Sequence, residues 1–132
     1  MGAVKYLLDT HALLWAIGKG SKLSEAAMKV IRDEDAPKFV SSVTAYEIMN
    51  KYRLGKLVEY GIIAENYFIF LSDLGIAELP ITAHQAHFAG DFEWEHRDPF
   101  DRLLAAQTVL GKFTLITNDP AFDQLPWVKT LW

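Results

Sequence analysis

Cysteine is absent from this 132-residue sequence. That excludes a disulfide framework, a thiolate metal site and a cysteine nucleophile, and it suits a reducing compartment. No apolar run approaches the roughly 20 residues that cross a bilayer, so no membrane association is expected. The apolar opening is interrupted by Asp9 and His11, and no small-residue cleavage pattern follows, so a signal peptide is not expected. Tyr6 stands where a myristoylation signal needs Ser or Thr. The expected location is the cytoplasm. A basic surplus is also missing: 13 Lys and Arg face 17 Asp and Glu, for a net charge of −4. A protein that binds nucleic acid by charge alone is strongly basic. There is no internal repeat, low-complexity tract or linker.

What is present fits one globular domain over residues 1–132. Apolar residues make up 51% and charged residues 23%, an ordinary balance for a folded chain. At this length a fold buries roughly two-thirds of the surface its unfolded chain exposes, so the core needs no staples.

Short β-rich runs alternate with helical spacings along the chain. Val4 to Leu8 reads as a buried strand ending at Asp9, and Ala12 to Ile17 as a helix stopped by Gly18 and Gly20. Ser24 caps a helix from Glu25 to about Asp33. Lys38 to Ser42 is a second strand, and Thr44 begins a helix that ends near Gly55. Glu59 to Leu74 has continuous helical spacing up to Gly75. Ile76 to Leu79 is a third strand, and Thr82 caps a helix that fades near Gly90. Asp98 before Pro99 starts a helix reaching Gly111. Phe113 to Thr117 is a fourth strand, Asn118-Asp119-Pro120 its turn, and Val128 to Leu131 a last strand. Such alternation implies an α/β fold with a mainly parallel sheet. Ligands in these folds bind beyond the carboxyl ends of the strands, at a topological switch point.

Acids stand at those positions, and each has a structural explanation. Asp9, Asp98 and Asp119 suit helix N-caps. Glu47 stands three residues after Thr44 and matches a capping box, and Asp101 lies in a first turn where the helix dipole favours anions. Together the five crowd one edge of a sheet. Two carboxylates about 5 Å apart repel by roughly 3 kcal/mol at an effective dielectric near 20, a cost that a divalent cation relieves. Oxygen ligands suit Mg²⁺ or Mn²⁺ and not zinc. Without those five acids, 13 bases face 12, so the net acidity is mostly this cluster.

The segments YLLDTHALLWAI, SSVTAYEIMNKYRLGKL, LPIT, HRDPFDRLLAAQ and LITNDPAF, in this order and spacing, resemble a PIN domain. More closely they resemble the VapC-type toxins of bacterial toxin–antitoxin pairs, over almost the whole chain. The resemblance implies a three-layer α/β/α sandwich around a mainly parallel sheet of about five strands. It also implies a metal-dependent ribonuclease. The family's first acid falls on Asp9, its second on Glu47, its third on Asp101 with Asp98 as an extra acid, and its fourth on Asp119. Asn118 stands where the common pattern has arginine.

On this basis Asp9, Glu47, Asp98, Asp101 and Asp119 are the expected catalytic acids, with Mg²⁺ or Mn²⁺ as cofactor. Asp9 and Asp101 anchor the metal, Asp119 and Asp98 ligate it directly or through water, and Glu47 positions the metal or orients the attacking water. Thr10 bonds a site carboxylate or the scissile phosphate, unless it is only a helix-start hydroxyl. Lys51, Arg53 and Lys56 either track an RNA backbone or form a solvated helix end. Arg97 and Arg102 either contact phosphate or neutralise the acids. His96 and His11 lie close to the acids in sequence and have room for a secondary role. His84 and His87 have metal-compatible spacing without a third nitrogen or sulfur ligand. Tyr46, Tyr52, Tyr67, Phe68 and Phe70 are expected in the core or an interface, and Trp15 is expected exposed. The expected partners are an RNA substrate, a cognate antitoxin whose C-terminal segment lies across the toxin, and a second copy in a homodimer. The alternative is a PIN-like module that binds RNA or protein without cutting.

Overall fold

The computed structural model describes residues 3–18 and 22–132. Gly20, expected as part of a helix stop, lies outside the described residues. Five parallel strands form one sheet in the order β3-β2-β1-β4-β5. They are β1 (Lys5–Leu8), β2 (Lys38–Ser41), β3 (Ile76–Leu79), β4 (Phe113–Ile116) and β5 (Thr130–Leu131). The helices are α1 (Thr10–Ile17), α2 (Glu25–Arg32), α3 (Ser42–Arg53), α4 (Gly61–Glu65), α5 (Tyr67–Leu74), α6 (Ala83–Asp91) and α7 (Pro99–Leu110). Among the described residues no helix is long and apolar enough to cross a membrane.

The period of two along each strand divides the core. Leu8 pairs in register with Val40 and Ile116, and these pack with Leu13 and Leu14 of α1, Ile31 of α2, Ile48 of α3 and Leu71 of α5. Leu7 pairs with Phe39 and Leu115, which face Leu104 and Ala105 of α7, together with Phe122 and Val128. Successive residues point to opposite faces, so the central strand is buried on both sides and a helical layer covers each. The three-layer α/β/α sandwich follows from that alternation.

Most boundaries fall where the residue chemistry puts them. Asp9 caps α1, Thr82 and Gln85 close a full capping box on α6, and Asp98 caps α7 with Pro99 at its first position. Gly75 ends α5 in the left-handed conformation (φ 66°) that favours glycine.

The structure corrects the sequence reading in several places. The chain turns from β2 straight into α3 at Ser42, with Ser41 as its N-cap, so Thr44 lies inside the helix and Glu47 belongs to no capping box. The expected helix over 59–74 is three pieces: a 3₁₀ turn at Val58–Tyr60, then α4, then α5. The break is at Asn66, whose side-chain amide bonds back to the Ile62 carbonyl. Hydrophobic spacing carries through such a break, because it records which face is buried and not whether the axis is continuous. The last strand is only Thr130–Leu131, after a 3₁₀ turn at Pro120–Gln124. Of the core and interface placements expected for the aromatics, the core is excluded for Tyr46 and Phe68, which are 63% and 66% exposed, whereas Tyr67 next to Phe68 is buried. Trp15 is half-buried rather than exposed, with its ring against Trp132 at 5.7 Å.

Candidate active site

The chain runs outward from β1 to β2 and β3 on one side, then returns to lay β4 on the other side of β1. The topological switch is therefore between β1 and β4, whose carboxyl ends carry Asp9 and Thr117. Both are buried there. The Thr117 hydroxyl donates to Asp9 Oδ2, and the Ala12 amide donates to Asp9 Oδ1 at 2.7 Å. Burial outweighs these bonds and raises the Asp9 pKa; the neighbouring Asp119 adds to the rise, while the nearby His11 opposes it.

Glu47 comes from the second turn of α3 and is buried too. The Thr10 hydroxyl donates to its Oε1 at 2.5 Å, and the Lys51 ammonium donates to its Oε2 at 2.7 Å. Of the three roles open to Thr10, the structure shows the bond to a carboxylate, that of Glu47. Lys51 serves as the counter-ion of Glu47 one helical turn away, and Arg53 bonds Asn50.

The third contribution is the start of α7. Asp98 accepts from the Phe100 amide at 2.9 Å, and Asp101 Oδ2 lies 2.6 Å from His96 Nε2. Burial pushes the Asp101 carboxyl up to about 6; Asp98 and Asp119 push the same way, and the His96 contact opposes them. Asp119 caps the following 3₁₀ turn through the Ala121 amide, and its own amide donates to Thr117 Oγ1 at 3.0 Å. Thr117 thereby links Asp9 to Asp119, and Asp119 acts electrostatically on both Asp9 and Asp101.

His96, Asp98 and Asp101 each offer a ligand atom within 4.8 Å of the others, the one three-residue cluster of this kind among the described residues. It adds a nitrogen to an otherwise oxygen donor set. His84 and His87 on α6 are exposed and belong to no such cluster.

Arg102 has a different task from either expected one. Its guanidinium donates to the carbonyls of Ala89, Phe92, Trp94 and His96 and lies over the Phe92 ring at 4.4 Å. It therefore ties down the loop that presents His96. Thr117 went unremarked as a site residue; a threonine before a turn signals the local bond from the Asp119 amide, but nothing local signals its bond to Asp9.

The family profile of the PIN domain matches residues 6–128. The chain belongs to the PIN domain family. No curated protein matches it in sequence. In fold this PIN domain is similar to VapBC2 from Rickettsia felis bound to a DNA fragment from their promoter. There the TM-score is 0.67 at 18% identity, over 97% of this chain and 98% of that one. DNA-bound VapBC from Salmonella typhimurium gives 0.69 at 18% identity, with 97% of each chain covered. A toxin-antitoxin complex from Klebsiella pneumoniae gives 0.62 at 21% identity, covering 94% and 95%.

Proposed function

We propose that this PIN domain is a divalent-metal-dependent RNA endonuclease, the toxin of a toxin–antitoxin pair working in the cytoplasm. The observation that carries the reading is a pair of carboxyls with raised pKa values, Asp9 buried at the switch point of the sheet and Asp101 half-buried in the first turn of α7, with Asp119 acting on both. Burial and neighbouring acids raise Asp9 and Asp101 despite the hydrogen bonds each accepts, which fits a cation, and the oxygen donors fit Mg²⁺ or Mn²⁺.

Asp9, Asp101 and Asp119 are the ligands in this reading, with Asp98 acting beside Asp101 directly or through water. A bound divalent ion supplies an activated water and offsets the charge that builds on the phosphate oxygens. The Lys51 ammonium already offsets the charge of Glu47, which suits orienting over ligating, whereas Asp9 accepts only from a neutral hydroxyl and an amide. Asp9 is fixed by Thr117 and the Ala12 amide, so its position is set before substrate arrives.

The antitoxin reading rests on the toxin–antitoxin complexes that share the fold and on exposed apolar side chains. Val58, Ile62, Phe68 and Ile69 are 61–72% exposed on the 3₁₀ turn, α4 and α5. Large apolar surface of this kind marks association, with an antitoxin or with a second copy in a homodimer.

The test is cleavage of a mixed RNA pool by the isolated chain with Mg²⁺, Mn²⁺ or EDTA. Cutting that needs the metal and falls to background in Asp9→Asn is the expected result. The variant keeps an oxygen for the Ala12 amide and stays folded. Wild-type cutting by Asp9→Asn contradicts the assignment. No cutting of any pool by a folded, metal-binding wild type favours the non-cutting module.

A further inference from the structure

We infer that the exposed Tyr46 ring, paired with Phe100, is a stacking platform for one base of single-stranded RNA beside the acidic site, and that Arg53 contacts the phosphate of the same strand. The inference rests on the RNA-cleaving reading and says how a chain with a net charge of −4 holds that substrate. Affinity built on phosphate contacts needs a surplus of cations. Stacking needs none and tolerates any sequence, because every base has a π-face.

The platform lies where a strand entering the site must pass. Tyr46 immediately precedes Glu47 on α3, and Phe100 immediately precedes Asp101 in the first turn of α7. Their ring centroids are 6.0 Å apart with planes tilted by 41°. The Phe100 amide donates to Asp98 at 2.9 Å, which fixes the backbone that carries this ring. The pair therefore bridges the two helices that bring Glu47 and Asp101 to the site. Neither ring ligates the metal, so both stay available while the carboxylates hold it. Tyr46 is 63% exposed, and its outer face is open to a base.

From Tyr46 a groove of about 470 Å³ runs along α3, lined by Tyr46, Met49, Asn50, Tyr52 and Arg53. Tyr46, Asn50 and Arg53 recur at i, i+4 and i+7, so they share one face of the helix. Tyr52 is anchored through its hydroxyl to Glu65 at 2.9 Å. Asn50 Oδ1 accepts from the Arg53 guanidinium at 2.7 Å and so holds the cation on the face that Tyr46 shares. The charge of Lys51 is taken up by Glu47, whereas Arg53 forms no ion pair among the described residues. The surface of Val58, Ile62 and Ile69 is aliphatic and suits a protein partner. This groove instead joins a phenol, a carboxamide and an unpaired guanidinium, the groups that meet bases and phosphates.

The test is binding of a fluorescent single-stranded RNA of mixed sequence in EDTA, followed by KM and kcat for that RNA in Mn²⁺. The proteins are the wild type, Tyr46→Ala, Tyr46→Trp and Arg53→Ala. Tyr46→Ala should weaken binding by at least about fivefold, the low end for one lost base stack, with its salt dependence unchanged. Its KM should rise by the same factor while kcat holds. Tyr46→Trp should bind within about twofold of the wild type, since any aromatic face serves. Arg53→Ala should flatten the plot of log Kd against log salt by about 0.7, the share of one phosphate contact on a single strand. No RNA binding by the wild type, or unchanged binding in Tyr46→Ala, overturns the inference. A loss that comes with a smaller sedimenting mass overturns it too, because this face is then a contact between copies. If the wild type binds RNA through Tyr46 and cuts none, the nuclease reading fails and the platform stands. If it cuts and Tyr46→Ala keeps its KM, the platform fails alone.

Discussion

The acidic site has two halves built by different means. On the β1 and α3 side, Asp9 and Glu47 are buried, and all four of their carboxylate oxygens accept hydrogen bonds from hydroxyls, an amide or an ammonium. On the other side, Asp98, Asp101 and Asp119 stand at the starts of α7 and of a 3₁₀ turn. There each spends one oxygen on a backbone amide or on His96. The first half is fixed by side chains from across the sheet and the second by helix caps and a strapped loop. The difference teaches where freedom lies: the α7 half keeps an uncommitted oxygen on each acid, and the β1 half is the rigid reference against which those oxygens are placed.

The strap on the α7 side gives the largest expected effect on stability. Arg102→Ala removes charge-assisted bonds to four backbone carbonyls. It should destabilise the fold by about 3 kcal/mol in a urea melt, since one hydrogen bond to a charged group is worth roughly 1.5–3 kcal/mol and the bonds share one side chain. A change below about 1 kcal/mol would show that the loop holds itself.

On the β1 side the matching test is Thr117→Val, which keeps the shape and removes the hydroxyl between Asp9 and the Asp119 amide. Loss of such an outer-shell partner should weaken Mn²⁺ binding by roughly 10–100-fold in a direct titration. An unchanged affinity would mean that Asp9 needs no such support.

The smallest expected effect comes from pH, and it sharpens the comparison because two readouts move in opposite directions. The Asp101 carboxyl is raised from an ordinary 3.8 to about 6, so the metal-free fold holds a proton that the unfolded chain releases between those values. Stability of the metal-free protein should therefore rise as pH falls through that window. Metal binding needs the carboxylate, so Mn²⁺ affinity should fall by about tenfold between pH 7 and pH 5. Melts and titrations of Asp101→Asn should weaken both trends, leaving the share of Asp9, which is raised as well; if neither trend changes, the titrating group is elsewhere.

Much of this was legible in the sequence, for reasons that differ by residue. Asp9, Asp98 and Asp119 announce themselves because a cap is a local device, decided by the residues next to it. The parallel α/β sheet was legible in the alternation of strands and helices, and the three layers came with the resemblance to the PIN family. For Glu47 it was the structural explanation that failed: Thr44 offers capping-box spacing, yet the chain leaves β2 too abruptly for it, and the partners of Glu47 are Thr10 and Lys51. The bond between Thr117 and Asp9 spans 108 positions, and no local pattern encodes it. Arg102 was misread because its charge suggested phosphate, whereas the ligands it found were carbonyls that only the folded loop brings together. The break at Asn66 escaped because both sides of it bury the same face.

The central claim is that these acids hold one divalent ion jointly, and calorimetric titration of Mn²⁺ into the metal-free wild type, Asp9→Asn and Asp101→Asn tests it most directly. One site in the wild type, weakened by at least about tenfold in each variant, is the predicted result. Equal affinity in all three proteins would contradict the account and leave these carboxylates to the caps and ion pairs they form.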